Sequence, residues 1–200
     1  MKQESTNEAF AEIIESTSNY FMGQCWQWDK MPAFGSLVGI QNDDYFIFGL
    51  VHKVQTGPLE TMRYPFAYQK THAELLAEQP QIFEFLKTSF SCITLGYHQN
   101  NRNFYLLAPR PPLIHSFIMQ SPLQLHKNFF AGHHYLHLLF SASSLVANLD
   151  ELLLALLKQN IQQKLITDKS LNDFIQTYSF LIGNEYRRLK LFLQRIEHLL

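Results

Sequence analysis

Apolar positions change their spacing twice along these 200 residues. Between Glu8 and Met22, Phe10, Ile13, Ile14, Phe21 and Met22 recur among polar residues close to helical spacing, which predicts a modest N-terminal amphipathic helix. An irregular lead-in, "GQCWQWDKMP", follows it. Trp26 and Trp28 lie two apart and share one side of any extended segment, either covering an open end of the core or offering a surface to a partner. From Pro32 the runs "AFGSLVGIQ" and "DYFIFGLVHKV" are aromatic and β-branched, with the turn-prone "NDD" between them. "SCITLGYH" and "RNFYLLA" repeat the arrangement around "QNNRN", and "LIHSFIM" adds a strand after the rigid "APRPP". Short strands creased by Gly35, Gly39 and Gly49 predict a small closed or nearly closed β-barrel.

Inside this strand pattern the period switches to helical. Thr71 followed by Glu74 reads as a capping box, Leu75 and Leu76 begin an apolar face, and Pro80 ends the piece. A second piece, "QIFEFLKTSF", places Ile82, Phe83, Leu86 and Phe90 at helical spacing. The two together predict a helical hairpin, about residues 71–90, entered through the proline-stiffened loop "RYPFAY". After Ser121 the pattern is helical to the end. Asn148 with Glu151 marks one N-terminus and Gly183 a C-terminal stop. The last helix sets Tyr186, Leu189, Phe192, Leu193 and Ile196 opposite Arg187, Arg188, Lys190 and Arg195. The expected class is α+β: a small β-barrel with an inserted helical hairpin, followed by a C-terminal helical subdomain. Its expected divisions are an N-terminal helix and lead-in over 1–30, the barrel over 31–120, and the helical subdomain over 121–200.

Composition narrows the function classes. Hydrophobic residues make up 46% and charged residues 16%, so the chain is globular rather than disordered. A formal net charge of −1 gives no global attraction to nucleic acid or anionic lipid. The 17 phenylalanines suit a core or interface built on large rings. Cys25 and Cys92 form no C-x-x-C pair and read as reduced, half-buried thiols, the usual state in the cytoplasm. "MKQESTNEAFAEIIES" lacks the charged-then-apolar layout of a signal, and "LDELLLALL" is too short to span a membrane. The expected location is the cytoplasm.

Candidate chemistry is sparse. "HKNFFAGHHYLHLL" carries His126, His133, His134 and His137; His133 and His137 are four apart, so on a helix they share a face and suit a metal. The H-E-x-x-H pattern is missing and His115 is only a remote third ligand, so surface or half-buried imidazoles are the default. "MRYPFAYQK" interleaves Arg63 and Lys70 with Tyr64, Phe66 and Tyr68, which suits stacking of single-stranded bases, though packing or subunit docking is the preferred reading. Arg102 and Arg110 flank turns as solvated or contact-forming cations. No G-x-S-x-G occurs, Cys92 lacks a neighbouring base, and Asp43 with Asp44 makes a poor acid–base pair.

The run "FGSLVGI…YFIFGLVHKVQTGPLETMRYPFAYQKTHAELLAEQPQIFEFLKTSFSCITLGY", followed by "LAPRPPLIHSFI", resembles stand-alone proteins of the HAS-barrel family, over Pro32 to Ile118. That barrel is shared by the N-terminal parts of HerA-type DNA-translocating ATPases and of ATP synthase catalytic subunits. The resemblance implies a barrel that assembles subunits beside a motor, with self-association or a HerA-like ATPase as partner. The motor itself is missing, since no G-x-x-x-x-G-K-[ST] loop is present to wrap phosphates. The sequence therefore leads to a non-enzymatic interaction protein with no cofactor, no membrane and no direct nucleic-acid role. Its expected contact residues are Arg63, Tyr64, Phe66, Tyr68, Lys70, Trp26, Trp28, Arg187 and Arg188. The alternatives are a metal-dependent enzyme through His133 and His137, or a nucleic-acid-binding loop over 63–70.

Overall fold

The computed structural model describes residues 9–42, 44–60 and 65–199. Among these, seven strands form one antiparallel sheet: β1 (Ala9–Ser16), β2 (Tyr20–Cys25), β3 (Leu37–Gln41), β4 (Phe46–Pro58), β5 (Leu86–Gln99), β6 (Arg102–Phe104) and β7 (Phe117–Gln120). Their order is β2-β1-β7-β3-β4-β5-β6, and β2 also pairs with β5. That last pairing brings the sheet back onto its first strand and closes a six-stranded barrel, with β6 outside it as a hairpin on β5.

The N-terminal helix expected over Glu8 to Met22 is instead, from Ala9 onward, the hairpin β1–β2, which supplies two staves of the barrel. Bulges explain the misleading spacing. Register slips between Ile13 and Glu15 against β2, and between Ala9 and Ala11 against β7. Each extra residue breaks the alternation of two and produces helix-like intervals of three and four. The turn "TSNY" is locked by Thr17, whose N–H and hydroxyl both donate to Tyr20 O, at 2.9 and 2.8 Å.

Alternation along β3–β5 fills two cores. Val38, Ile40, Ile47, Val51 and Cys92 point into the barrel with Ile13, Phe21, Phe90 and Ile118. Leu37, Phe46, Phe48, Leu50, Ile93 and Leu95 point outward and are equally buried, beneath a layer of helices. Burial on both faces is why "FIFGLV" reads as one unbroken apolar run. Where the chain enters β3, Gly35 has φ +80°, and a Cβ there would meet Ala155 Cβ at 2.7 Å. Only glycine allows both that conformation and that approach.

The helical layer comprises α2 (Leu123–Phe130), α3 (Tyr135–Ser141), α4 (Leu149–Gln162), α5 (Asp168–Ile182) and α6 (Tyr186–Glu197); a short helix, α1 (His72–Glu78), lies earlier in the chain. Asn148 caps α4 by accepting from the N–H groups of Asp150 and Glu151, and Gly183 ends α5 at φ +60°. Leu152, Leu153, Leu156 and Leu157 of α4, Phe174 and Tyr178 of α5, and Phe192 and Ile196 of α6 share the core that the outward residues of β3–β5 enter. The C-terminal helices thus fold onto their own barrel. His126 and Asn160, both buried, meet at 2.8 Å inside this layer.

The insertion is shorter in helix than expected. The helix α1 is followed by a 3-10 turn over Pro80–Phe85, and β5 begins at Leu86, so Leu86 and Phe90 lie on a strand. "KTSFSCIT" alternates small polar with apolar and β-branched residues, and Thr88, Phe90 and Cys92 turn inward on that period.

Candidate functional site

β4 and β5 outrun the barrel. From Lys53 to Gln55, β4 pairs with Ser91 to Ser89, which β2 still flanks; from Thr56 to Pro58 it pairs with Thr88 to Leu86 as a two-stranded arm, and the insertion is mounted at its tip. Thr56 and Thr88 bridge the strands by their hydroxyls at 2.7 Å, and Thr88 also donates to the carbonyl of Trp28. Trp28 stacks on Phe83 at 5.2 Å and meets His72 edge-on at 5.8 Å, tying the insertion to the barrel. The two tryptophans have separate tasks: Trp26, about half exposed, lies edge-on to Phe117 on the barrel wall at 5.3 Å.

The capping box forms as expected. Thr71 N–H donates to Glu74 Oε2 at 2.7 Å, and Glu74 N–H donates to Thr71 Oγ1 at 3.3 Å. That backbone bond, with the Thr71 hydroxyl, holds the Glu74 carboxyl below its ordinary range. Lys70 is paired with Glu78. Despite this local order, no residue of α1 or of the 3-10 turn is buried. Between the arm tip and the insertion lies a groove of about 380 Å³, whose walls include Leu59, Phe66, Leu75, Ile82 and Phe83. Phe66 is 82% exposed. Among the described lining residues Glu60 is the one carboxylate, and most of the others are apolar.

The other expected residues are dispersed. Arg63 and Tyr64, like Asp43, lie outside the described residues. With Lys70 engaged and Phe66 and Tyr68 lining the groove, the described part of the loop presents no cation beside a ring for a base to stack under. Arg187 is exposed on α6, but Arg188 is committed: its Nε and Nη2 hold the two Asp150 oxygens at 2.8 and 2.7 Å, and Tyr178 Oη donates to the same carboxylate at 2.9 Å. Arg195 grips Glu151 in the same forked way. Arg188 and Arg195 on the basic back of the last helix are therefore engaged by α4, pairings across 38 and 44 residues that helical periodicity does not signal, while Arg187 and Lys190 are exposed.

His133 and His137 do not share a helical face as expected, because α3 begins at Tyr135. The ring of His133 lies between Tyr135 and Phe174, while His137 is exposed. Among the described residues no group of three or more His, Cys, Asp or Glu is placed to hold a metal ion. Burial lowers the affinity of His133 for a proton, ahead of the opposing pull of Asp173. Both thiols are free and buried; burial pushes Cys25 up to about 11 and Cys92 well above its ordinary range, so neither is a thiolate at neutral pH. No helix among the described residues is long and apolar enough to cross a membrane.

The groove could have been traced in the sequence through Leu59, Ile82 and Phe83, apolar residues beside prolines in a segment too short to bury them. No protein-family model matches this chain, and no curated protein matches it.

Proposed function

We propose that this chain is a non-catalytic interaction and assembly protein, a HAS-type barrel without a motor, which docks a protein partner through the insertion at the tip of its arm. The observation that carries this reading is the apolar groove itself: Leu59, Phe66, Ile82 and Phe83 line it, outside both cores. Apolar surface gathered beside a rigid scaffold, with few charges, is the composition of a protein-binding surface. The likeness to the HAS barrel over Pro32 to Ile118, and the lack of a phosphate-binding loop, point the same way, with a HerA-like ATPase as the candidate partner.

The test compares proteins retained from a lysate by the immobilised chain, by the double variant Leu59→Asp/Phe66→Asp, and by Phe180→Asp. Phe180 is 80% exposed on α5 and serves as an equally apolar site elsewhere. The double variant is expected to lose the retained partner while Phe180→Asp keeps it. Equal retention by all three, or nothing retained by the unaltered chain, contradicts the reading.

A further inference from the structure

Closure removes the sheet edges of a barrel, yet where β4 runs beyond β3 it keeps an edge of its own. β3 pairs with β4 only as far as Leu50, and the bonds of Val51 to Gly35 and Ser36 extend that cover by one residue. Beyond it, β4 pairs with β5 alone. Leu59 N–H donates to Phe85 O, which sets the phase of the ladder: Gly57, Gln55 and Lys53 bond to β5, while Val54 and Thr56 turn their N–H and C=O groups away from it. Thr94 N–H donating to Asn19 O gives the same phase from the other side, since Phe90 and Cys92 then bond to β2. Among the described residues nothing pairs with the outward groups of Val54 and Thr56.

The geometry points to a second copy of this chain as the occupant of that edge, its own β4 edge added antiparallel about a two-fold axis through Gln55. In this register Val54 of each copy faces Thr56 of the other, and every outward N–H and C=O of those residues is satisfied. Moving the axis to Thr56 would set Pro58, which has no N–H, opposite Val54. Charge agrees with the choice. Lys53 is the only charged residue on this stretch of β4, and it falls opposite Gly57, so no like charges meet. The paired side chains, Val54 with Thr56, are β-branched and suit a cross-strand contact. An edge of this kind is self-complementary, and a two-fold contact closes without leaving a further edge to extend. The inference shares the arm with the proposed partner site but uses its backbone edge, not the groove.

Gln55 of the two copies would stand directly opposite in a position without backbone bonds, where Cα atoms are about 4.5 Å apart, close enough for a disulfide. The experiment combines light scattering of the unaltered chain with oxidation of Gln55→Cys and Lys53→Cys by oxidised glutathione. Both positions are exposed, and the native thiols are buried. A dimer is expected, with Gln55→Cys cross-linking to completion and Lys53→Cys lagging far behind. Thr56→Pro, which removes an outward N–H and leaves the ladder to β5 intact, is expected to be monomeric, while Thr56→Ala remains dimeric. Leu59→Asp/Phe66→Asp is expected to stay dimeric even as it loses its partner, which separates this inference from the groove. A monomer throughout the micromolar range, or equal cross-linking of the two cysteine variants, overturns it.

Discussion

Asp150 is the most heavily committed ionisable residue described in the helical layer. It receives two bonds from Arg188 and one from Tyr178, with roughly a quarter of its side chain exposed. Removing it leaves the Arg188 guanidinium and a buried phenol without their acceptor, so Asp150→Ala is expected to cost about 2 kcal/mol in denaturant unfolding. Arg195→Ala breaks a pair that is about half exposed on both sides and is expected to cost less than about 1 kcal/mol. Equal losses would show that burial does not set their value. His133 supplies a second residue-scale outcome. Both of its ring nitrogens are shielded from water, and neither makes a hydrogen bond of normal geometry, the Ser170 backbone only offsetting part of the burial. Burial lowers its proton affinity, as it does for His126 against the raising bond from Asn160. The unfolded chain then binds more protons as pH falls through about 6.5, so stability is complete above that pH and declines below it, toward the folded values. His133→Leu is expected to add about 1 kcal/mol at pH 7 and to shrink, without abolishing, the decline measured between neutral and acid pH. An unchanged pH profile would remove His133 from the account. Local features at this scale were legible: the Thr71–Glu74 box and the Asn148 cap need only neighbours in sequence. The Asp150–Arg188–Tyr178 cluster was not, because nothing along the chain brings those three residues together until α4, α5 and α6 pack.

At the scale of elements, the strands hidden in β1 and β2 and the helix α1 teach opposite lessons. Two bulges gave a strand pair the spacing of a helix, and a bulge depends on the partner strand, which the sequence of one segment does not display. In α1, by contrast, a strong cap announced a real helix whose ring contacts, among the described residues, are those of His72 with Trp28 and Phe83. Seven residues are far below the length at which a helix holds by itself, and none is buried. Thr71→Ala is therefore expected to raise amide exchange within residues 72–78 severalfold, at a local cost of about 1 kcal/mol, and to leave the midpoint of global unfolding where it was. A lowered global midpoint would mean that α1 belongs to the cooperative core. The same weakness limited the reading of the second helical piece. Ile82, Phe83 and Leu86 match a helix by spacing, but the β-branched run after Lys87 is captured by the pairing of β5 with β4 and β2.

For the whole molecule, the α+β class, the barrel and the helical part after Ser121 were readable, because glycine-creased apolar runs and long helical stripes are properties of extended stretches of chain. What stayed hidden was the division of labour among apolar residues. "FIFGLV" does not say which side chains fill the barrel and which meet α3 and α4; closure of the sheet decides it. Nor does "PQIFEF" say that its rings line a groove instead of a core. The resulting molecule is a barrel filled inside, covered by its own helices over β3–β5, with one arm left over whose groove-lining apolar residues lie outside both cores, and which we propose serves contact. The most direct measurement is thermal unfolding of a chain in which residues 60–84 are replaced by Asn-Gly, a two-residue turn that keeps the Leu59–Phe85 bond. Loss of the Trp28 stack alone is expected to lower the midpoint by no more than about 8 °C, with one cooperative transition retained. Failure of that chain to fold, or a collapse of cooperativity, would show that the insertion holds the barrel together and would contradict the account.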